Sequence, residues 1–434
     1  MSPFNPHEDQ DLSETDHNVE ETPKTIPHAS FKKKTKMIRG EKRYTEEYCA
    51  SILVTGGCGF VGSHIVEALL AEGRYVVIYD MFNSETSSCA EKHDNAAFLQ
   101  GEAEKHKNKG AQLTIVDGNI RNGARIAQVV EEHDITACIH MAGMVDDRRS
   151  VHFPEEYLEN NVLGTSCLLD TLGKCGVKMV VQPSTRSVFG ANDQALSLTE
   201  GMDRRPINPY GASKVATDAL GHCYSYLHDM NVTLVRIFAT YGPRGRPDML
   251  PRILVEAMVK GKPIKKFGDG SATRTWTYIS DVVRAFLLAL RHPQGGFEEF
   301  HTGAPNITTL NEMIACAEQV SGKKAIIHQY PTPPGDPHQV GHPNYDKIYE
   351  AMGWKPQVSV LEGMRECYAY YKAKHEREMV LSSEEEPMTP EQIPVPGVQY
   401  KMFNKMMAAS SLKVPDILTA SPHSSLAFPE APSL

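Results

Sequence analysis

No run of apolar residues in this chain approaches the length of a membrane span, so no spanning helix is expected. The N-terminus lacks the apolar segment that a secretory signal needs. Positive charge is not in excess: Lys plus Arg number 45 against 54 Asp plus Glu, a formal net charge of -9. Binding to nucleic-acid phosphates relies on a basic face, so nucleic acid is not expected as the main partner. Cys-x-x-Cys is also missing. The nine cysteines are scattered and odd in number, which argues against a disulfide framework and against a cysteine-based zinc site. Reduced thiols in a cytoplasmic protein, with no bound metal, are the expectation.

The length of 434 residues suits about two or three domains, or one large α/β unit with tails. Residues 1–48 read as a disordered tail, acidic from Glu8 to Glu21 and basic from Lys32 to Arg43. Residues 376–434 are rich in Pro, Ser and Met and read as a second tail. Between them, apolar strands alternate with helical patterns. Strands are expected at 51–55, 75–79, 113–116, 137–140, 177–182 and 233–237, with helices at 59–72, 155–174 and 209–228. This alternation implies a doubly wound, Rossmann-type parallel sheet over residues 49–242. A less regular stretch, residues 243–375, reads as a smaller C-terminal α/β lobe that binds substrate.

Directly after the first strand comes Thr55-Gly56-Gly57-Cys58-Gly59-Phe60-Val61-Gly62. Its glycines read either as Gly56, Gly59 and Gly62 or as Gly57, Gly59 and Gly62. Glycines between a strand and a helix let the backbone approach a dinucleotide pyrophosphate, whose charge the helix N-terminus stabilises. Asp80 ends the second strand, at the distance expected of the acid that binds the adenosine ribose. A carboxylate there repels a 2′-phosphate, so NAD is expected rather than NADP. Asn83 joins this cofactor set. Asn119 and Ile120 follow the third strand and are placed beside the adenine. Ala142 lies where the fourth strand ends in small residues close to the cofactor.

Tyr210-Gly211-Ala212-Ser213-Lys214 puts a phenol and an ammonium one helical turn apart. A tyrosine acts as a base only if its pKa falls, and Lys214 with an oxidised nicotinamide favours the phenolate. The stretch Pro183 to Gly190 supplies Thr185 and Ser187 as hydroxyls for the reacting centre.

These motifs together resemble the extended short-chain dehydrogenase/reductases, specifically the NAD-dependent nucleotide-sugar epimerases and dehydratases. The resemblance covers roughly residues 51–371. Its glycines, Asn161-Val162-Leu163-Gly164-Thr165, the Ser184 to Gly190 turn and Asn208 to Lys214 carry it. Arg274-Thr275-Trp276-Thr277-Tyr278-Ile279-Ser280-Asp281 is similar to a further family motif, and Tyr241 to Met249 is most like the UDP-glucuronate 4-epimerase branch. The resemblance implies 4-epimerisation of a UDP-sugar, UDP-glucuronate to UDP-galacturonate, through a transient 4-keto sugar. Tyr210 is then the base, Thr185 the catalytic hydroxyl, and Lys214 the ligand of the nicotinamide ribose. It also implies a homodimer built on the helices at 155–174 and 209–228.

Two departures stand out. The family's diphosphate arginine is missing from Pro333-Pro334-Gly335-Asp336. Arg186 and Ser187 stand where the dehydratases carry Asp-Glu, which argues against dehydration. Arg244, Arg252 and Arg274 remain to neutralise a diphosphate, with Arg246 in the same substrate set. Arg186 pairs either with a sugar carboxylate or with Asp146 or Asp147; both are open from the sequence. A dehydrogenase or reductase, a decarboxylase or dehydratase, and a non-catalytic NAD-binding protein are the alternative readings.

Overall fold

Seven short strands form one sheet, and those at its centre are continuous apolar runs because both of its faces are covered. The seven are β1 (Ser51–Thr55), β2 (Tyr75–Asp80), β3 (Gln112–Asp117), β4 (Ala137–His140), β5 (Met179–Thr185), β7 (Asn231–Ile237) and β12 (Phe297–Thr302). Their order is β12-β7-β5-β4-β1-β2-β3, and every pair is parallel. The structure is a computed structural model and describes residues 51–82, 89–191, 197–292, 295–331 and 341–384. The expected N-terminal tail, Asn83, Pro333 to Asp336 and most of the expected C-terminal tail lie outside these residues.

Helices α1 (Phe60–Ala71), α2 (Cys89–Lys105), α3 (Gly123–Glu132), α6 (Gly164–Lys174) and α7 (Pro209–His228) connect the strands. Short helices α4 (Asp147–His152) and α5 (Pro154–Tyr157), then a π-helical segment (Leu158–Leu163), lead into α6. The strand order reverses between β1 and β4, whose ends Thr55 and His140 are register partners. A crevice opens outside the carboxyl ends of strands at such a reversal, and that is where a ligand binds in this architecture.

The lobe is built on paired short strands: β8 (Thr240–Tyr241) with β11 (Thr277–Tyr278), β9 (Ile264–Phe267) with β14 (Ile327–Tyr330), and β10 (Thr273–Thr275) with β13 (Ile307–Thr309). A further pair, β6 (Ser197–Leu198) with β15 (His342–Pro343), links distant loops. Helices α8 (Leu250–Lys260), α10 (Leu310–Ser321) and α12 (Val360–Glu384) enclose a core with Leu254, Trp276, Met313 and Met364. Helix α11 (Asp346–Met352) lies against β12. Two elements of the stretch expected to be a separate lobe return to the main sheet. Helix α9 (Ile279–Arg291) packs on α1, β5 and β7, and β12 extends the sheet beside β7. The apolar stripe Val282, Ala285, Phe286, Ala289 of α9 explains this, because only the sheet offers it a face to bury.

One boundary needs correction. Residues 376–384, expected to belong to the C-terminal tail, are helical, because α12 continues to Glu384. The segment Lys372 to Met379 is rich in Lys, Glu and Arg, which are good helix formers. Lys374 also reaches Asp94 of α2 at 3.8 Å.

Candidate active site

The glycine loop is shaped by close approach. Gly56 has φ +66°, and a Cβ there would lie 2.6 Å from the Ala142 nitrogen. No other residue fits between β1 and β4 at that point. Gly59 caps α1 with no side-chain hydrogen bond, and the first turn carries no acid. The first-turn amides of α1, those of Phe60, Val61 and Gly62, are thus free of a capping side chain, as a pyrophosphate requires. A dinucleotide fits this end of the sheet.

Asp80 is buried and already busy. One oxygen accepts from the Cys58 amide at 2.9 Å; the other accepts from the Met81 amide and from Lys92 Nζ, both at 2.7 Å. Lys92 also donates to the Met81 carbonyl at 2.6 Å. Asn95 holds the Cys58 carbonyl at 2.8 Å. Sequence reasoning missed Lys92 and Asn95, which form one face of α2 with Ala96 and Leu99. The readable signal was their i, i+3, i+4, i+7 spacing, but half of the stripe is polar.

The remaining cofactor candidates divide. Ala142 donates to Thr55 Oγ1 at 3.2 Å. Asn119 accepts the Tyr79 hydroxyl on its carbonyl at 3.1 Å. Ile120 is buried in the core with Leu53, Val77 and Leu168. His140 bridges Thr55 Oγ1 (2.7 Å) and Thr165 Oγ1 (2.9 Å).

Thr185 ends β5, and the turn Arg186–Phe189 packs on the start of α7. A Cβ at Gly211 would lie 2.6 Å from the Ser187 carbonyl, so glycine permits this contact and brings Tyr210 to Thr185. Asn208 caps α7 through the Gly211 amide at 2.8 Å. Thr185 lies beside the Tyr210 phenol and favours its charged form. Thr185 Oγ1 donates to Ser187 Oγ at 3.4 Å and accepts from the Ser187 amide at 3.2 Å. Asn161 of the π-helical segment donates to Ser213 Oγ at 3.0 Å and to the Met144 carbonyl at 2.9 Å, tying this wall to α7.

Burial dominates the electrostatics of Tyr210 and Lys214. Tyr210 does not sit below its ordinary value: burial pushes it up to about 12, with Thr185 and Arg246 pulling down and Asp147 and Tyr157 pushing up. Burial lowers Lys214 to about 8, while Asp218 favours its charge and Arg236 opposes it. The lysine cation thus answers to Asp218, one turn further along α7.

The arginines fall into two groups. Burial lowers the Arg186 pKa, with the charge of Asp147 opposing that shift and the charge of Arg274 adding to it. Arg274 donates to the Thr273 carbonyl at 2.7 Å. Arg244, Arg246 and Arg252 line a recess with Phe60 of the glycine loop. Arg244 is held by Glu67 at 2.5 Å and Arg252 by Glu256 at 2.7 Å and Glu91 at 2.8 Å. Their charges are thus compensated by carboxylates. Arg246 pairs with Asp248 at 2.6 Å and lies 4.0 Å from Asp146. Burial opposes its charge, but Asp248, Asp146 and Tyr210 more than offset that, so its pKa is raised. Among the described residues no group of His, Cys, Asp and Glu is placed to hold a metal ion. No helix among them is long and apolar enough to cross a membrane.

Three imidazoles are buried neutral. Burial holds His64, His140 and His301 at about 3, against an ordinary value of 6.5; Arg244, Lys214 and Arg236 respectively act in the same direction. Their folded values are depressed, so the unfolded chain binds protons first as pH falls. Their contribution to stability is complete above about pH 6.5 and is lost progressively toward pH 3. Glu200 and Asp218, raised by burial, work the opposite way but are fewer. The urea midpoint is therefore expected to fall steadily from pH 6.5 downward. An unchanged midpoint between pH 7 and pH 5 would contradict this.

Residues 52–303 match the family model described as NAD dependent epimerase/dehydratase family. The chain belongs to this family. It is 30% identical over 321 residues to a UDP-glucuronate 4-epimerase from Thermodesulfobacterium geofontis, covering 74% of this chain and 95% of that one. A crystal structure of UDP-glucuronic acid 4-epimerase from Bacillus cereus in complex with UDP-glucuronic acid and NAD is similar, with TM-score 0.65 and 29% identity, over 75% of this chain and 99% of that one. So is a UDP-glucose 4-epimerase with UDP-glucose from Thermotoga maritima, with TM-score 0.65 and 28% identity, over 75% and 99%.

Proposed function

We propose that this enzyme is an NAD-dependent 4-epimerase of UDP-sugars that converts UDP-glucuronate to UDP-galacturonate. One observation carries the reading: the Tyr210–Thr185 pair and the open N-terminus of α1 lie at the carboxyl ends of β5 and β1, with only β4 between them. Phe60, Val61 and Gly62 hold the pyrophosphate, Asp80 the adenosine ribose and Lys214 the nicotinamide ribose. NAD held by these residues would supply the hydride acceptor and donor that oxidation and re-reduction at C4 of the sugar require. Tyr210 takes the C4 hydroxyl proton as C4 is oxidised and gives it back when C4 is reduced. Thr185, beside Tyr210, orients that hydroxyl. Arg186, next in sequence, supplies a cation for the sugar carboxylate, and Arg274 one for the diphosphate.

Epimerisation leaves the redox state unchanged. UDP-glucuronate and added NAD should therefore give UDP-galacturonate with no accumulation of NADH absorbance. Stoichiometric NADH would instead identify a dehydrogenase.

We place the enzyme in the cytoplasm, where the eight free cysteines among the described residues stay reduced. We also propose a homodimer. Leu158, Leu163, Tyr226 and Leu227 are exposed on the π-helical segment and on α7, with Leu163 59% and Tyr226 87% exposed. Apolar surface of this kind favours a second copy. Leu163→Arg together with Tyr226→Glu should shift the wild-type dimer to monomer in light scattering; a wild-type monomer would contradict the proposal.

A further inference from the structure

One charged side chain beside Tyr210 has no part in the proton transfer. Asp147 opens α4, and the residue before it, Asp146, adopts φ +107° and ψ 105°. L-residues rarely take that conformation, and such strain persists only where the surroundings enforce it. Here they do. Asp146 Oδ1 accepts from the amides of Arg148 (2.9 Å) and Arg149 (3.2 Å), and its carboxylate lies 4.0 Å from Arg246. The Val145 carbonyl accepts the Tyr157 hydroxyl at 2.9 Å, and the Tyr157 ring stands edge-on to Tyr210, 6.2 Å between centroids. These contacts hold the start of α4 beside Tyr157 and Tyr210, near enough for the charge of Asp147 to act on the phenol.

Asp147 Oδ1 is buried and has no hydrogen-bond partner among the described residues. Arg186, which follows the catalytic threonine, is near enough to Asp147 and Arg274 for their charges to act on it, and it makes no hydrogen bond or ion pair within bonding distance among those residues. An acceptor lacking a donor and a donor lacking an acceptor therefore share the wall beside the reacting centre. A ligand that satisfies both relieves the cost of burying each alone.

We propose that Asp147 and Arg186 together read the substituent on C5 of the hexose, and that Asp147 is the residue that admits a neutral hydroxymethyl arm. The inference rests on the UDP-sugar reading above. Two groups adjoin C4, the C3 hydroxyl and the C5 arm. The first is common to glucose and glucuronate, so only the arm can discriminate. A hydroxymethyl oxygen donates its proton to Asp147 and accepts from Arg186, which satisfies both side chains. A carboxylate accepts from Arg186 but has no proton for Asp147, whose charge repels it. The wild-type site thus takes a neutral hexose beside the uronate, and Asp147 sets the balance.

The test is the ratio of kcat/KM for UDP-glucuronate to that for UDP-glucose, measured with the full chain on one preparation of each variant. The active-enzyme concentration cancels in this ratio, so partial misfolding does not move it. Wild type should epimerise both sugars. Asp147→Asn removes the charge and Asp147→Val the acceptor; each should raise the ratio by on the order of ten-fold or more. Arg186→Gln should lower it. Wild type that epimerises UDP-glucuronate but not UDP-glucose overturns the inference and leaves the epimerase reading intact. A ratio unmoved by both Asp147 substitutions also overturns it. Turnover of neither sugar removes the epimerase reading, and the inference with it.

Discussion

Tyr210→Phe will lower kcat by about 10²–10⁴-fold, the range for loss of a positioned general base. The fold will survive the change. Phenylalanine keeps the ring that packs edge-on against Tyr157 at 6.2 Å, and only the hydroxyl beside Thr185 is lost. Bound NAD and the unfolding midpoint should therefore match wild type while turnover collapses. This separation distinguishes a chemical role from a structural one. A variant within about ten-fold of wild-type kcat would remove Tyr210 from the proton transfer. Burial raises the phenol to about 12, so bound cofactor and substrate must favour the phenolate strongly. An oxidised nicotinamide supplies a positive charge for this.

Arg236→Met will destabilise the protein by about 3–5 kcal/mol, the usual cost of removing one partner from a buried ion pair. Arg236 is fully buried. Its guanidinium donates to Asp218 at 3.0 Å, Ser184 at 2.7 Å, Glu299 at 2.9 Å and His301 Nε2 at 3.2 Å. His301 Nδ1 in turn meets the Leu198 carbonyl at 3.0 Å, which fixes the neutral tautomer that leaves Nε2 as acceptor. Methionine fills most of the volume but leaves Asp218 without its main counter-charge; Arg204 still reaches Glu299. Chemical denaturation of the full chain measures the effect. A loss below about 1 kcal/mol would mean that Arg204 and Lys214 compensate, and that the network is not a keystone of the sheet.

Much of this site can be read from the sequence, because its parts obey local rules. Gly56 must be glycine for its φ of +66°, Asn208 caps α7, and Asp80 ends a strand. Local rules also placed Tyr210 and Thr185, since a strand end followed by a capped helix leaves little freedom. What stayed hidden depends on contacts across the chain. Helix α2 has too few apolar residues to announce itself, yet Lys92 and Asn95 lock the glycine loop. Arg244 and Arg252 look like diphosphate ligands in sequence; the distant Glu67 and Glu91 engage them. The return of β12 to the main sheet follows from an apolar stripe on α9 that needs the sheet beneath it. Arg186 was visible as an unusual residue with Asp146 or Asp147 as a candidate partner, and the fold brings the charge of Asp147 near it.

The central claim is that hydrogen leaves C4 and returns to the same carbon within one turnover. UDP-glucuronate carrying deuterium at C4, incubated with the purified protein and followed by proton NMR, tests it directly. The account predicts UDP-galacturonate with the deuterium still on C4. Product with ordinary hydrogen at C4, exchanged from water, would mean proton abstraction at carbon and would contradict the account.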